Sequence, residues 1–252
     1  MSHFHRIVRI VWPLAGLTFM AWLWWSFQAH NLPEGVMDSD TAVTITQTRQ
    51  TITFQPTGNQ STTGLIFYPG AMVEPTAYAP LARTMAEAGY LTVIVKLPWG
   101  TAPLDSHEVQ LWQTTQAQMA AASDVQQWVV SGHSRGAAIA ARTLFEHEDS
   151  FAGLVLIGTS HPKEAAYSLA NAQIPIAKIY ASEDGLASQA EVEAFRGYLP
   201  EQAEMDEIEG GNHAQFGYYG TQLGDGQSTI SREDQQAQTA VYLLTFLNNL
   251  SP

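Results

Sequence analysis

From Thr41 onward the hydrophobic positions follow two alternating rhythms. TAVTITQTRQTITFQP is β-branched with alternation of period two, which predicts two neighbouring strands near 42–48 and 50–55. GLIFYPG, LTVIVKLP, QQWVVSG, AGLVLIG and IPIAKIYA are short, nearly continuous apolar runs, each reaching a Gly, a Pro or a small residue. Runs of that kind predict strands covered on both faces. Between and after them PTAYAPLARTMAEAG, SHEVQLWQTTQAQMAAA, SRGAAIAARTLFEHE, LASQAEVEAFRGYL and SREDQQAQTAVYLLTFLNNL carry apolar residues at helical spacing. Strands alternating with helices predict an α/β fold, a mainly parallel sheet flanked by helices on both faces.

Ahead of Thr41 the pattern changes. Ile10 to Phe27 contains no charged residue and is long enough to cross a hydrocarbon core as a helix, so an N-terminal transmembrane helix is expected. Arg6 and Arg9 are the only Lys or Arg before position 49, which places the N-terminus in the cytoplasm and the chain after Asn31 outside it. Trp22, Trp24 and Trp25 stand where an interfacial aromatic belt would lie. A cleaved signal peptide and an apolar helix packed on the domain are the alternatives, and the former has a poor cleavage context, with Phe27 two residues before Ala29. The expected organisation is a membrane anchor over 1–30, a polar linker over 31–41 with Pro33 and Gly35, and one domain over 42–252.

The formal charge of −13 opposes binding to polyanions, so nucleic acid is not expected as a partner. There is no cysteine, which removes disulfides, thiolate nucleophiles and Cys-based metal sites. No metal-ligand spacing such as H-E-x-x-H occurs, and neither a metal nor an organic cofactor is expected.

The chemistry concentrates at VVSGHSRGAA, residues 129–138, where Ser134 sits between Gly132 and Gly136 at the junction of a predicted strand and a predicted helix. A reversal that sharp forces the serine into strained backbone angles, and glycines two positions either side let strand and helix approach. The hydroxyl is then held out at the tip, and the amide of Arg135, at the helix start, faces any oxyanion formed on an attacked carbonyl. A serine N-cap is the structural alternative.

A serine nucleophile needs a base oriented by a carboxylate, and the turn resembles the nucleophile elbow of the α/β-hydrolases, in which the two follow downstream in the order acid, then histidine. SEDG after IPIAKIYA offers Asp184, with Glu183 as the fallback; GGNHAQFGYYG offers His213. Asp184 before Gly185 is also ordinary turn chemistry, and His213 could be a loop histidine bonded to backbone. The second oxyanion donor is expected from FYPGAMVEP, as the amide of Ala71 or, failing that, Met72, with a plain Pro-Gly turn as the alternative.

With these residues in view, the chain resembles the α/β-hydrolase superfamily, and within it a compact bacterial branch related to dienelactone hydrolases and carboxylesterases. The resemblance runs from about Gly64 to Leu250 and rests on FYPGAMVEPTAYAPLARTMAEAGY, SGHSRGAA, YASEDG and GGNHAQFGYYG. It implies a Ser134, Asp184, His213 triad with Ala71 and Arg135 as backbone donors, acting on small-molecule esters as a serine hydrolase of the carboxylesterase kind. Acyl transfer, peptide-bond cleavage and a non-catalytic, membrane-tethered binding role are the rival functions. Arg135 and Ala137 depart from that branch, where a small apolar residue and a second glycine are usual. The Arg135 guanidinium is expected either to pair with a buried acid or to favour substrates carrying an acidic group. Lids in this superfamily enter between the sixth and seventh strands, here AGLVLIG and IPIAKIYA, where too little chain lies for one. The resemblance therefore implies an open cleft, walled by Met72, Trp99, His161 and Phe216, that suits short acyl groups.

Overall fold

The computed structural model describes residues 3–250. The side chains of Arg6 and Ile10, on which the orientation and start of the expected span rest, lie outside the described residues, as do 251 and 252 at the end of the expected domain.

Eight strands form one sheet: β1 (Val43–Gln47), β2 (Thr51–Pro56), β3 (Thr63–Tyr68), β4 (Thr92–Val95), β5 (Gln127–His133), β6 (Gly153–Ile157), β7 (Ile176–Ala181) and β8 (Glu204–Ile208). Their spatial order is β1-β2-β4-β3-β5-β6-β7-β8. The β1–β2 and β2–β4 pairings are antiparallel and all later ones are parallel, as the continuous apolar runs predicted. The helices are α1 (His3–Ser26), α2 (Ala79–Glu87), α3 (Asp105–Ala121), α4 (Arg135–Glu146), α5 (Gln189–Ala194) and α6 (Arg232–Leu250).

Alternation along the strands divides the core in two. Leu65 and Phe67 of β3 face α2 and α6, meeting Leu81, Met85, Leu243, Phe246 and Leu247; Ile66 and Tyr68 face the other way, onto Leu111 of α3 and Ala140 and Leu144 of α4. Each large aliphatic or aromatic side chain fully buried this way contributes about 1.5–3 kcal/mol. Helix α6 starts where Ser231 Oγ accepts from the Asp234 amide at 3.0 Å, an N-cap that halts the preceding loop.

The expected membrane span requires correction. Among the described residues no helix is long and apolar enough to cross a membrane. Helix α1 does form over the expected stretch, but freedom from charge is not the same as being apolar. Trp12, Pro13, Gly16, Thr18 and the Trp22, Trp24, Trp25 cluster dilute its Leu, Ile and Val content with indole N–H groups and residues of low transfer energy. The anchored, extracytoplasmic placement that rested on the span loses that support.

The far end of α1 turns into the domain. Ser26 is buried, its carbonyl accepts from the Gly220 amide at 2.7 Å, and its hydroxyl donates to the carbonyl of Thr221. The segment expected as a polar linker also lies on the domain: Val36 is buried, Leu32 and Met37 pack on the core, and Arg83 of α2 donates to the carbonyls of Gly35, Val36 and Asp38.

Candidate active site

The parallel strands β3, β5, β6, β7 and β8 end along one edge of the sheet, and the loops leaving them carry the candidate residues, as expected for sites in open α/β sheets. β5 ends at His133, α4 begins at Arg135, and Ser134 between them has φ 53° and ψ −118°. That is a left-handed, strained conformation for a residue with a side chain. The two glycines explain how it is accommodated. A Cβ on Gly132 would lie 2.5 Å from the carbonyl carbon of Gly136, and one on Gly136 would lie 2.0 Å from the Tyr68 carbonyl oxygen. The first lets strand and helix touch, and the second seats α4 against the end of β3.

Asp184 and His213 meet. His213 Nδ1 lies 2.8 Å from Asp184 Oδ2, with both side chains almost wholly buried. The other carboxylate oxygen accepts from the amides of Leu186 and Ala187 at 2.8 and 2.7 Å, so the acid is held in a tight turn with its charge compensated. Glu183, the fallback acid, is exposed and points elsewhere, its Oε1 3.4 Å from the Ser182 hydroxyl. His213 Nε2 is buried and without a hydrogen-bond partner. Ser134, Arg135, His161 and His213 line one cavity of about 250 Å³, together with Lys163 and Ala187. No hydrogen bond joins Ser134 Oγ to His213 Nε2, and such contacts tighten in complexes with substrate.

Of the candidate oxyanion donors, the Met72 amide is already committed to the Gly100 carbonyl at 2.7 Å, whereas those of Ala71 and Arg135 make no hydrogen bond among the described residues. The Arg135 guanidinium pairs with an acid, though a half-buried one rather than the buried one expected. It reaches Glu108 at 3.2 Å and donates to the carbonyls of Thr101 and Ala102, pinning the loop after β4 to the start of α4.

The proposed cleft walls fare unevenly. His161 lines the cavity, and burial first, then Lys163, Lys178 and Arg135, lower its pKa below the usual value. Met72 and Trp99 are exposed and line two other hollows of about 340 and 710 Å³. Phe216 is not a cleft wall: it is buried, its ring centroid 5.6 Å from that of His133.

Sequence reasoning missed Asp225. Its carboxylate accepts from the amides of Gly185, His213 and Ala214 at 3.3, 3.1 and 2.8 Å, tying the acid turn to the histidine loop. Its Asp-Gly context in QLGDGQS reads locally as one more turn. Gln235 of α6 was missed too; its amide brackets Asn212, accepting from the Asn212 N–H at 3.0 Å and donating to the Asn212 carbonyl at 2.7 Å.

A family model described as the alpha/beta hydrolase family matches residues 64–237, which span β3 through to α6 and include every residue of the site. The chain belongs to the alpha/beta hydrolase family. No curated protein matches its sequence. Among solved structures this alpha/beta hydrolase is similar to an alpha-beta serine hydrolase homologue from Coxiella burnetii, with a TM-score of 0.59 at 17% identity over 83% of this chain and 98% of that one. It is also similar to a soluble variant of monoglyceride lipase from Saccharomyces cerevisiae, with a TM-score of 0.65 at 10% identity over 87% and 98%. A structure of the metagenome-derived lipolytic enzymes LipS and LipT aligns with a TM-score of 0.58 at 14% identity over 76% and 95%. At these identities the shared property is the fold, and the chemistry is argued from the side chains.

Proposed function

We propose that this alpha/beta hydrolase is a serine hydrolase that cleaves carboxylic esters of small or short-acyl substrates through an acyl-enzyme. The buried Asp184–His213 pair carries the reading, because His213 Nε2 is left without a partner in the cavity that Ser134 lines. His213 takes the Ser134 proton as the oxygen attacks the carbonyl, and Asp184, held by two amides, stabilises the imidazolium. The amides of Ala71 and Arg135 hold the tetrahedral oxyanion; neither has an acceptor among the described residues, and one opens a helix. The alcohol leaves with the proton from His213, and water repeats the sequence on the acyl-enzyme. The short-acyl preference is supported by the connection between β6 and β7, which holds one 3-10 turn (Ala165–Tyr167) and no lid domain, and by a cavity of about 250 Å³.

A fluorophosphonate probe tests the nucleophile. Wild-type protein is expected to be labelled at Ser134, by peptide mass mapping, and Ser134→Ala is expected to lose both the label and ester hydrolysis while unfolding at a similar temperature. A folded wild type that stays unlabelled sinks the reading.

A further inference from the structure

Behind Ser134 lies a buried run of polar groups that this chemistry does not use. Tyr78 closes the short turn Pro75–Tyr78 ahead of α2 and is 1% exposed. Its hydroxyl accepts from the Gly70 amide at 3.0 Å and lies 2.8 Å from His133 Nδ1. The oxygen keeps a second lone pair beside the one facing Gly70, so either the hydroxyl or an Nδ1–H supplies the proton of this contact, according to the tautomer of the neutral His133 ring. Neutrality of that ring agrees with its surroundings: burial, then the adjacent His213, push its pKa well below the usual value. The run Gly70 N–H, Tyr78 O–H, His133 Nδ1 links the loop after β3 to the residue immediately before the nucleophile.

The loop itself shows what the link does. A Cβ on Gly70 would lie 2.8 Å from the Tyr78 hydroxyl and 3.0 Å from His133 Nδ1, so backbone and side chains are in close contact there. Two residues on, the Met72 amide is held by Gly100, and Met72 has a positive φ of 61°. The Ala71 amide is thus the unbonded one between two that are anchored. Hydrogen bonds in series inside a protein polarise one another and resist bending, which suits them to fixing the orientation of a peptide plane.

We propose that Tyr78 and His133 are positioning residues that aim the Ala71 N–H at the developing oxyanion. The inference rests on the serine-hydrolase reading above and adds two side chains to it. If Tyr78 merely filled space, its ring would suffice, packed 5.0 Å from Phe67 and 5.7 Å from His133 between centroids. Tyr78→Phe keeps that ring and removes the oxygen alone.

For Tyr78→Phe on p-nitrophenyl butyrate, kcat is expected to fall about tenfold or more with KM nearly unchanged, a misaimed donor costing less than an absent one. Affinity for a trifluoromethyl ketone, which forms a tetrahedral oxyanion adduct, should weaken by the same factor. His133→Asn, which can set an acceptor before the hydroxyl, should keep more activity than His133→Leu. A Phe variant within about twofold of wild type in both kcat and inhibitor affinity overturns the proposal. Should that variant not fold, equal activity in the two His133 variants overturns it instead. A wild type unlabelled at Ser134 removes the hydrolase reading and this inference together, whereas a labelled wild type with an unimpaired Phe variant removes this inference alone.

Discussion

Lys178 shows how much one side chain can cost a fold. It lies on β7, is fully buried, and its Nζ donates to the His161 carbonyl at 2.9 Å. Burial first, then Arg196 and Lys163, bring its pKa down from 10.5 to about 7. Between those two values the unfolded chain holds a proton that the folded one lacks, so stability rises with pH through the window; below about 7 both states are charged and the full cost of burying the charge remains. Lys178→Met is therefore expected to raise the unfolding midpoint at neutral pH and to flatten the rise above it, as denaturant titrations across that window would show. Gly136 carries an expectation of the opposite sign. A methyl group 2.0 Å from the Tyr68 carbonyl cannot be accommodated without parting α4 from β3, so Gly136→Ala should destabilise by about 3 kcal/mol or more, read in the same titration. That glycine was legible in the sequence as part of the nucleophile turn, but its contact was not. It faces the end of β3, some seventy residues away in the chain, and no local pattern announces so distant a neighbour.

At the scale of elements, the strands came through best and the start of the chain worst. The apolar runs predicted β3 to β7 because strands covered on both faces admit few polar residues, and the period of α4 and α6 was equally plain. The window expected as one helix over LASQAEVEAFRGYL yields only α5 and a separate 3-10 turn at Arg196–Tyr198, where the Arg196 guanidinium binds the carbonyls of Pro200, Glu201 and Ala203. The stretch after α1, read as anchor end and tether, behaves as a strap across the edge that carries the candidate site. The carbonyl of Phe27 accepts from the Glu74 amide at 2.8 Å, the Ala29 amide donates to the Glu74 carboxylate at 3.0 Å, and the His30 amide donates to the Tyr218 carbonyl at 2.7 Å. One of those partners follows the Ala71 loop and the other follows His213. A chain begun at Asn31 should consequently unfold at a lower temperature and lose kcat, while one begun at Trp24 should retain both, which thermal melts and ester assays on the two truncations would separate.

For the molecule as a whole, the proposed short-acyl preference follows from the cavity of about 250 Å³ and the short β6–β7 connection. Across p-nitrophenyl esters from acetate to palmitate, kcat/KM is expected to peak at short chains and to fall beyond about ten carbons; a maximum at palmitate would contradict the open-cleft reading. By itself the sequence determined the alternation of strands and helices and the class of fold, and it singled out a candidate serine, acid and histidine with the loops that bear them. These are local matters of period, turn chemistry and chain order, and they survive without coordinates. Only tertiary structure decided that Asp184 rather than Glu183 meets His213, that Ala71 rather than Met72 keeps a free amide, that Arg135 is spent on Glu108, and that Phe216 lies inside. The same is true of Asp225 and Tyr78, whose partners stand on other loops. Two of these outcomes, at Asp184 and Ala71, turn on which of two neighbouring groups a distant segment reaches first. Such a choice is made by packing and hydrogen-bond geometry across the sheet edge, where separation along the chain carries no information.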